Sequence, residues 1–88
     1  MANPIQQALS RIAEYSGRLE TATALMGDVQ VQLEKAGDVD VKKDLRSQQA
    51  KLSYLIGLYK EFLEFWKDVI KTALSLLKMF NELAQGAR

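Results

Sequence analysis

Hydrophobic residues recur every seven positions over the first part of the chain, and a second row follows three residues behind the first. Two rows at this spacing form one apolar stripe along an α-helix, as in a coiled coil. Asn3 and Pro4 predict where this helix begins, because an asparagine side chain can accept a hydrogen bond from a free backbone N–H and proline is well tolerated at the first helical position. We therefore predict a first helix over about residues 4–36. The first row is Ile5, Ile12, Leu19, Met26 and Leu33, and the second is Ala8, Tyr15, Ala22, Val29 and Ala36.

The heptad pattern stops at the segment KAGDVDVKKD. Gly37 can adopt the left-handed conformation that ends many helices, and either Asp38 or Asp40 can cap the next one. We predict a turn at 37–40 and a second helix over about 41–85, because no proline or turn cluster interrupts that stretch. The expected fold is all-α: an antiparallel, coiled-coil-like helical hairpin with a longer, highly apolar second helix, forming one domain over residues 1–88.

The second helix has four apolar rows when its heptads are numbered with Leu45 at position a. Rows a and d predict the side of the hairpin core that faces the first helix. Rows e and g predict an apolar face between chains. The predicted core residues of the second helix are Leu52, Leu55, Tyr59, Phe62, Trp66, Val69, Leu76 and Phe80, which join Ile5, Ile12, Leu19, Met26 and Leu33. The predicted interchain residues are Ile56, Leu58, Leu63, Phe65, Ile70, Leu77 and Met79.

Four apolar rows are more than one partner helix covers. Packing against one partner needs an apolar stripe a little over about 100° wide, whereas four rows span about half of the circumference. A row of four or five large side chains left in water forfeits roughly 6–15 kcal/mol, which is comparable with the total stability of a small domain. We therefore expect a structural subunit that assembles with copies of itself into an oligomer, a filament or a closed bundle.

Two other functions account for the same surface. One is a helical adaptor or chaperone that binds a helix of a different protein. The other is a membrane-active amphipathic helix, although its polar face mixes acids and bases where anionic lipid favours lysine and arginine. A transmembrane span is not expected, because six charged residues interrupt the apolar stretch. These are Lys60, Glu61, Glu64, Lys67, Asp68 and Lys71.

Composition narrows the chemistry further. The 88 residues have a formal net charge of +1, so the basic footprint of a dedicated nucleic-acid-binding protein is missing. The chain has neither histidine nor cysteine, which removes the commonest general base, metal ligand and thiol nucleophile. The acid pairs Glu61/Glu64 and Glu64/Asp68 have lysines within helical reach and are expected to form exposed charge ladders. We predict no enzymatic activity, no cofactor and no metal.

The first twenty residues contain no basic segment followed by an apolar core, so no cleavable general secretory signal is expected. This leaves two localisations open: the cytoplasm, or export by a route that uses no cleavable signal.

Parts of the second helix resemble a known family. In DLRSQQAKLSY, Leu45, Gln48 or Gln49, Leu52 and Tyr54 are similar to the leucine, glutamine, apolar and tyrosine pattern that opens the second helix of needle and inner-rod subunits of bacterial type III secretion systems. Lys67–Ile70 in FWKDVIK is similar to the Lys-Asp-Val segment near the needle C-terminus. The resemblance implies helical polymerisation around a narrow export channel, with the C-terminal helices in its wall. The small helical export chaperones of the same systems are the alternative within it.

Overall fold

The computed structural model describes residues 3–86, which form two long helices and one short turn. Helix α1 spans Pro4–Lys35, with 32 residues, and helix α2 spans Val39–Gly86, with 48 residues. They pack against each other in opposite directions along a rod of 76 × 18 × 17 Å. The predicted antiparallel hairpin with a longer second helix is confirmed.

The start of α1 follows from its first two residues. Asn3 has an extended backbone, and its side-chain Oδ1 accepts a hydrogen bond from the N–H of Ile5 at 2.8 Å. The Asn3 carbonyl oxygen accepts the N–H of Gln7 at 2.9 Å, which closes the first helical turn. Pro4 occupies the first helical position, where its missing N–H costs nothing.

The turn differs from the prediction in its mechanism and its bounds. No glycine among the described residues has a positive φ, so the predicted left-handed role of Gly37 is wrong. The chain leaves α1 instead through an extended Ala36, with φ −72° and ψ 129°, whose N–H donates to the carbonyl oxygen of Gln32 at 2.9 Å. Asp38 then caps α2, because its Oδ1 accepts the N–H of Asp40 at 2.8 Å and lies 3.4 Å from the N–H of Val41. The turn is therefore residues 36–38, and α2 begins at Val39.

Replacing Asp38 by alanine is expected to destabilise the hairpin by about 1 kcal/mol, because the first backbone N–H groups of α2 lose their acceptor. Chemical denaturation measures this loss. The matched control is Asp38→Asn, which retains an oxygen acceptor and should keep most of the stability. Equal losses in both variants would contradict the capping role.

The core of the hairpin is narrow. Within residues 3–86 five side chains are buried, and none of the large ones is buried completely. The second row predicted on α1 faces α2 most closely, since Ala8, Ala22 and Val29 are all buried. The other predicted row of α1, from Ile5 to Leu33, is half-buried throughout. Small residues at the centre of the seam limit the apolar surface that α1 can remove from water.

The heptad frame of α2 differs from the prediction in its second row. Row a faces α1 as expected, but it pairs with row e and not with row d. Leu63 in row e is buried at 8% exposure, and Ile56 and Ile70 are half-buried, whereas Phe62 in row d is 37% exposed. Row e carries branched aliphatic side chains that fit between two helices. The Phe62 ring instead stacks at the margin on Tyr15, with ring centroids 5.0 Å apart.

Candidate assembly surface

Beside α1, one side of α2 presents large apolar side chains to solvent. We call this surface the flank and define it by Leu55, Leu58, Phe62 and Phe65, which belong to rows d and g. Phe65 is 56% exposed, Leu55 and Phe62 are just over one third exposed, and Leu58 is half-buried. The flank adjoins the hairpin seam, so a partner chain placed there would extend the existing core.

Aromatic rings hold the flank in place. Tyr15 of α1 stacks on Phe62 and lies 6.1 Å from Tyr59, measured between ring centroids. Phe65 meets Trp66 edge-on, with centroids 5.2 Å apart and an interplanar angle of 77°. Aromatic pairs of this geometry contribute about 0.5–1.5 kcal/mol beyond their buried area. The rings are therefore positioned before any partner binds, and those of Tyr15, Phe62, Phe65 and Trp66 line an open cleft of about 460 Å³.

A charged rim follows the flank along α1. Glu14 forms salt bridges with Arg11 at 3.0 Å and with Arg18 at 2.9 Å. The Arg18 guanidinium also lies 5.8 Å from the centre of the Tyr15 ring, within cation–π range. These exposed ion pairs contribute little to stability. They place a partly neutralised polar border beside an apolar surface, which is the usual anatomy of a protein interface.

A second cleft, of about 530 Å³, opens further along the same side. Gly17 forms part of its wall on α1, and Leu52 and Leu55 form part of its wall on α2. A side chain at Gly17 would meet no other atom within 4 Å, so nothing in the hairpin itself requires glycine there.

Replacing Gly17 by alanine is expected to raise the free energy of unfolding by up to about 1 kcal/mol, because alanine favours the helix and its methyl group meets no atom. Urea denaturation at low protein concentration measures this gain. Gly57→Ala is the matched control, since Gly57 also has open space, on the polar side of α2. A loss of stability at Gly17 alone would contradict the open cleft.

The C-terminal part of α2 extends beyond α1. We call residues 74–86 the overhang; every residue in it is exposed. Near the start of the overhang, Asn3–Gln6 face Ala73, Leu76, Leu77 and Phe80 across an open cleft of about 610 Å³. The large apolar side chains of the overhang are about half exposed or more: Leu74, Leu76, Leu77, Met79, Phe80 and Leu83.

The structure separates the predicted interchain residues into two groups. Phe65, Leu77 and Met79 are exposed, and Leu58 is half-buried on the flank. The assignment of Leu63 to the outer face is wrong, because it is buried in the seam with α1, and Ile56 and Ile70 in the same row are half-buried. Leu63 in particular has almost no surface left for another chain.

The predicted core residues of α2 also differ in how deeply they are buried. Leu52, Tyr59, Trp66 and Val69 are half-buried, while Leu55 and Phe62 lie at the margin. The placement of Leu76 and Phe80 in the hairpin core is wrong: they are 46% and 62% exposed because α1 begins beside them and provides no cover beyond. Leu74 and Leu83 were not among the predicted interchain residues. The greater length of the second helix was the sequence signal that could have identified them as exposed.

Two other kinds of site, a metal site and a membrane-spanning segment, lack support among the described residues. Across residues 3–86, no group of three acidic, histidine or cysteine side chains is arranged to hold a metal ion. Over the same range, neither helix has a segment with the length and hydrophobicity needed to cross a bilayer.

Comparison with known proteins adds no assignment: no family model matches the chain, and no curated protein or solved structure is significantly similar to it. The likeness of Leu45–Tyr54 and Lys67–Ile70 to secretion-needle subunits therefore stays a prediction.

Proposed function

We propose that this chain is a non-enzymatic structural subunit that assembles with copies of itself by burying the flank and the overhang of α2. The observation that carries the proposal is the stripe of exposed large apolar side chains on α2, which occurs in two groups between Leu55 and Leu83. At 1.5 Å per residue this stripe is about 42 Å long. Exposed apolar patches of such extent mark interaction sites in most soluble proteins.

The small core supports the same proposal. A single hydrophobic core in a domain of this size rarely supplies more than about 3–5 kcal/mol, and here three of the five buried side chains are alanine or valine. Apolar surface buried between chains adds roughly 25 cal/mol per Å². Association is thus expected to contribute a large share of the stability of the folded hairpin.

Copies of the same chain are favoured over a single foreign helix because the apolar surface occurs in two places. The flank lies beside α1, and the overhang lies beyond its end. Two surfaces allow each chain to contact more than one neighbour, as a filament or closed bundle requires. An adaptor that holds one partner helix needs only one groove.

A role in protein secretion is a narrower part of the proposal. It rests on the resemblance of the Leu45–Tyr54 and Lys67–Ile70 segments to needle and inner-rod subunits, together with the long apolar second helix. In such a role the chain would pack α2 into the wall of a helical assembly.

Self-association predicts that thermal stability rises with protein concentration. A partner that binds only the folded chain stabilises it by mass action, and each added kcal/mol raises the unfolding midpoint by about 4–8 °C for a domain of this size. Circular dichroism melts over a roughly hundredfold concentration range measure the effect. A midpoint that does not change with concentration would contradict the proposal.

The same melts test the membrane alternative when anionic vesicles are added. We expect helicity and midpoint to be unaffected by vesicles, because the charged face of α2 alternates acids with bases. Vesicle-induced helicity with dye leakage would instead favour a membrane-active protein.

A further inference from the structure

We propose that the overhang pairs with the overhang of a second copy, in antiparallel orientation, around a two-fold axis near Phe80. This inference rests on the proposed self-assembly and specifies one of its contacts. It gives an elongated dimer in which two hairpins meet end to end, with their turns at opposite ends.

The hairpin seam of α2 continues beyond the residues that α1 covers. Rows a and e of α2 continue past α1 as Ala73, Leu77, Phe80 and Ala84. The first residues of α1, Asn3–Gln6, line an open cleft with Ala73, Leu77 and Phe80, and they leave Leu77 and Phe80 more than half exposed. α1 begins at this cleft, so among the described residues it provides no cover for the rest of the seam.

An α2 helix from a second, antiparallel copy matches this open seam in both its direction and its position. It runs parallel to α1, so it continues the line of α1 along the uncovered part of the seam. Its carboxyl end then lies near the amino end of α1 at Pro4. Opposite ends of two helix dipoles meet there, which is the favourable arrangement.

The available area matches a weak, reversible interface. Three neighbours of Phe80, namely Leu76, Leu77 and Leu83, lie within about 60° of it around the helix, and each of the four leaves roughly 100 Å² of apolar surface exposed. Two copies would together bury on the order of 800 Å², which is the size of a weak or transient protein–protein interface. Pairing of two equal overhangs is therefore expected to depend on protein concentration.

The charge distribution fits a self-complementary contact. Lys78 and Glu82 are the charged residues of the overhang. Both are two positions from Phe80, so at 100° per residue they lie on the opposite side of the helix. The side around Phe80 is uncharged, and two copies can approach there without burying a charge.

The first test introduces a charge at the two-fold axis. Phe80→Lys is expected to weaken dimerisation roughly 100-fold or more, because two lysines would face each other in an apolar contact. Gln85→Lys is the control, since Gln85 is exposed in the overhang on the side that carries Lys78, about 140° from Phe80, and the added charge there should leave the dimer intact. Sedimentation velocity measures both, and circular dichroism checks that both variants remain helical.

The second test measures the relative orientation of the two α2 helices in the dimer. The chain has no cysteine, so Asn81→Cys and Ser53→Cys each accept a single spin label. In the full-length dimer, labels at 81 are expected within about 25 Å of each other, given helix axes about 8–10 Å apart. Labels at 53 are expected about 80 Å apart, because each lies 27 residues from the axis at 1.5 Å per residue.

The outcomes separate this inference from the proposed function. An unmodified chain that stays monomeric at every concentration overturns both. An assembly that Phe80→Lys leaves unchanged overturns the overhang pairing alone. Short distances at both label positions overturn the antiparallel arrangement, and a short distance at 81 with a long one at 53 supports it.

Discussion

Replacing Leu63 by lysine is expected to unfold the hairpin. Leu63 is 8% exposed and lies in the seam between α1 and α2, so the ammonium group would be buried without a partner. Burying an unpaired charge costs several kcal/mol, which equals or exceeds the 3–5 kcal/mol that a core of this size supplies. Circular dichroism of the dilute variant should show a large loss of helicity and no cooperative melt.

Phe65→Lys is the matched comparison for Leu63→Lys. It lies two residues away in the same helix and is 56% exposed, so it should keep the helicity of the original chain at low concentration. A Leu63→Lys variant that folds with unchanged stability would show that α1 packs against other rows of α2.

The same Phe65→Lys substitution has the second large expected effect, on association. Phe65 is the most exposed ring of the flank and is held edge-on against Trp66. A lysine there would place a charge at the centre of the flank contact, which should weaken association through this surface by roughly 100-fold. Sedimentation velocity should then show nothing larger than the dimer formed by the overhang.

Ser53→Lys is the control for that experiment. Ser53 is exposed on the side of α2 that carries Lys60 and Lys67, opposite the flank and outside the overhang, and its replacement adds the same charge. The size distribution of this variant should match that of the original chain. Assemblies of full size from Phe65→Lys would mean that the flank is not an interface.

The start of α1 and its apolar stripe could be predicted from the sequence because each had one solution. Only two rows of α1 are apolar, so the side that faces α2 followed from the heptad count, and Ala8, Ala22 and Val29 are buried as expected. Asn3 with Pro4 is a strong local signal, and its hydrogen bond to Ile5 needs no tertiary contact.

The face of α2 could not be chosen in the same way. With four apolar rows, the pairs a/d and a/e are both compatible with the heptad, and only the burial of Leu63 with the exposure of Phe62 shows that a/e faces α1. Sequence rows alone would have placed a surface test at Leu63 and Ile70. The burial of Leu63 moves that test to Phe65.

The prediction of the turn was wrong for a local reason. Glycine permits a left-handed cap but does not require it, and Asp38 can start α2 without one. Its bonds to Asp40 and Val41 draw the chain into the second helix directly after Gly37.

The overhang shows that part of the exposed surface of α2 is a continuation of the hairpin seam beyond α1. Leu77 and Phe80 continue the seam rows e and a of α2, and they lack cover because α1 begins beside them. Surface of this kind is completed most simply by another helix of similar character. An adaptor function keeps the same surface but predicts that the pure chain stays small until its partner is added.

Light scattering of the purified chain over a roughly hundredfold concentration range, with electron microscopy of the largest species, tests whether the flank and overhang of α2 bind copies of the same chain. We predict a mass that rises with concentration to a discrete oligomer or ordered filaments. A monomer of constant mass at every concentration would contradict self-assembly and direct attention to a different partner protein.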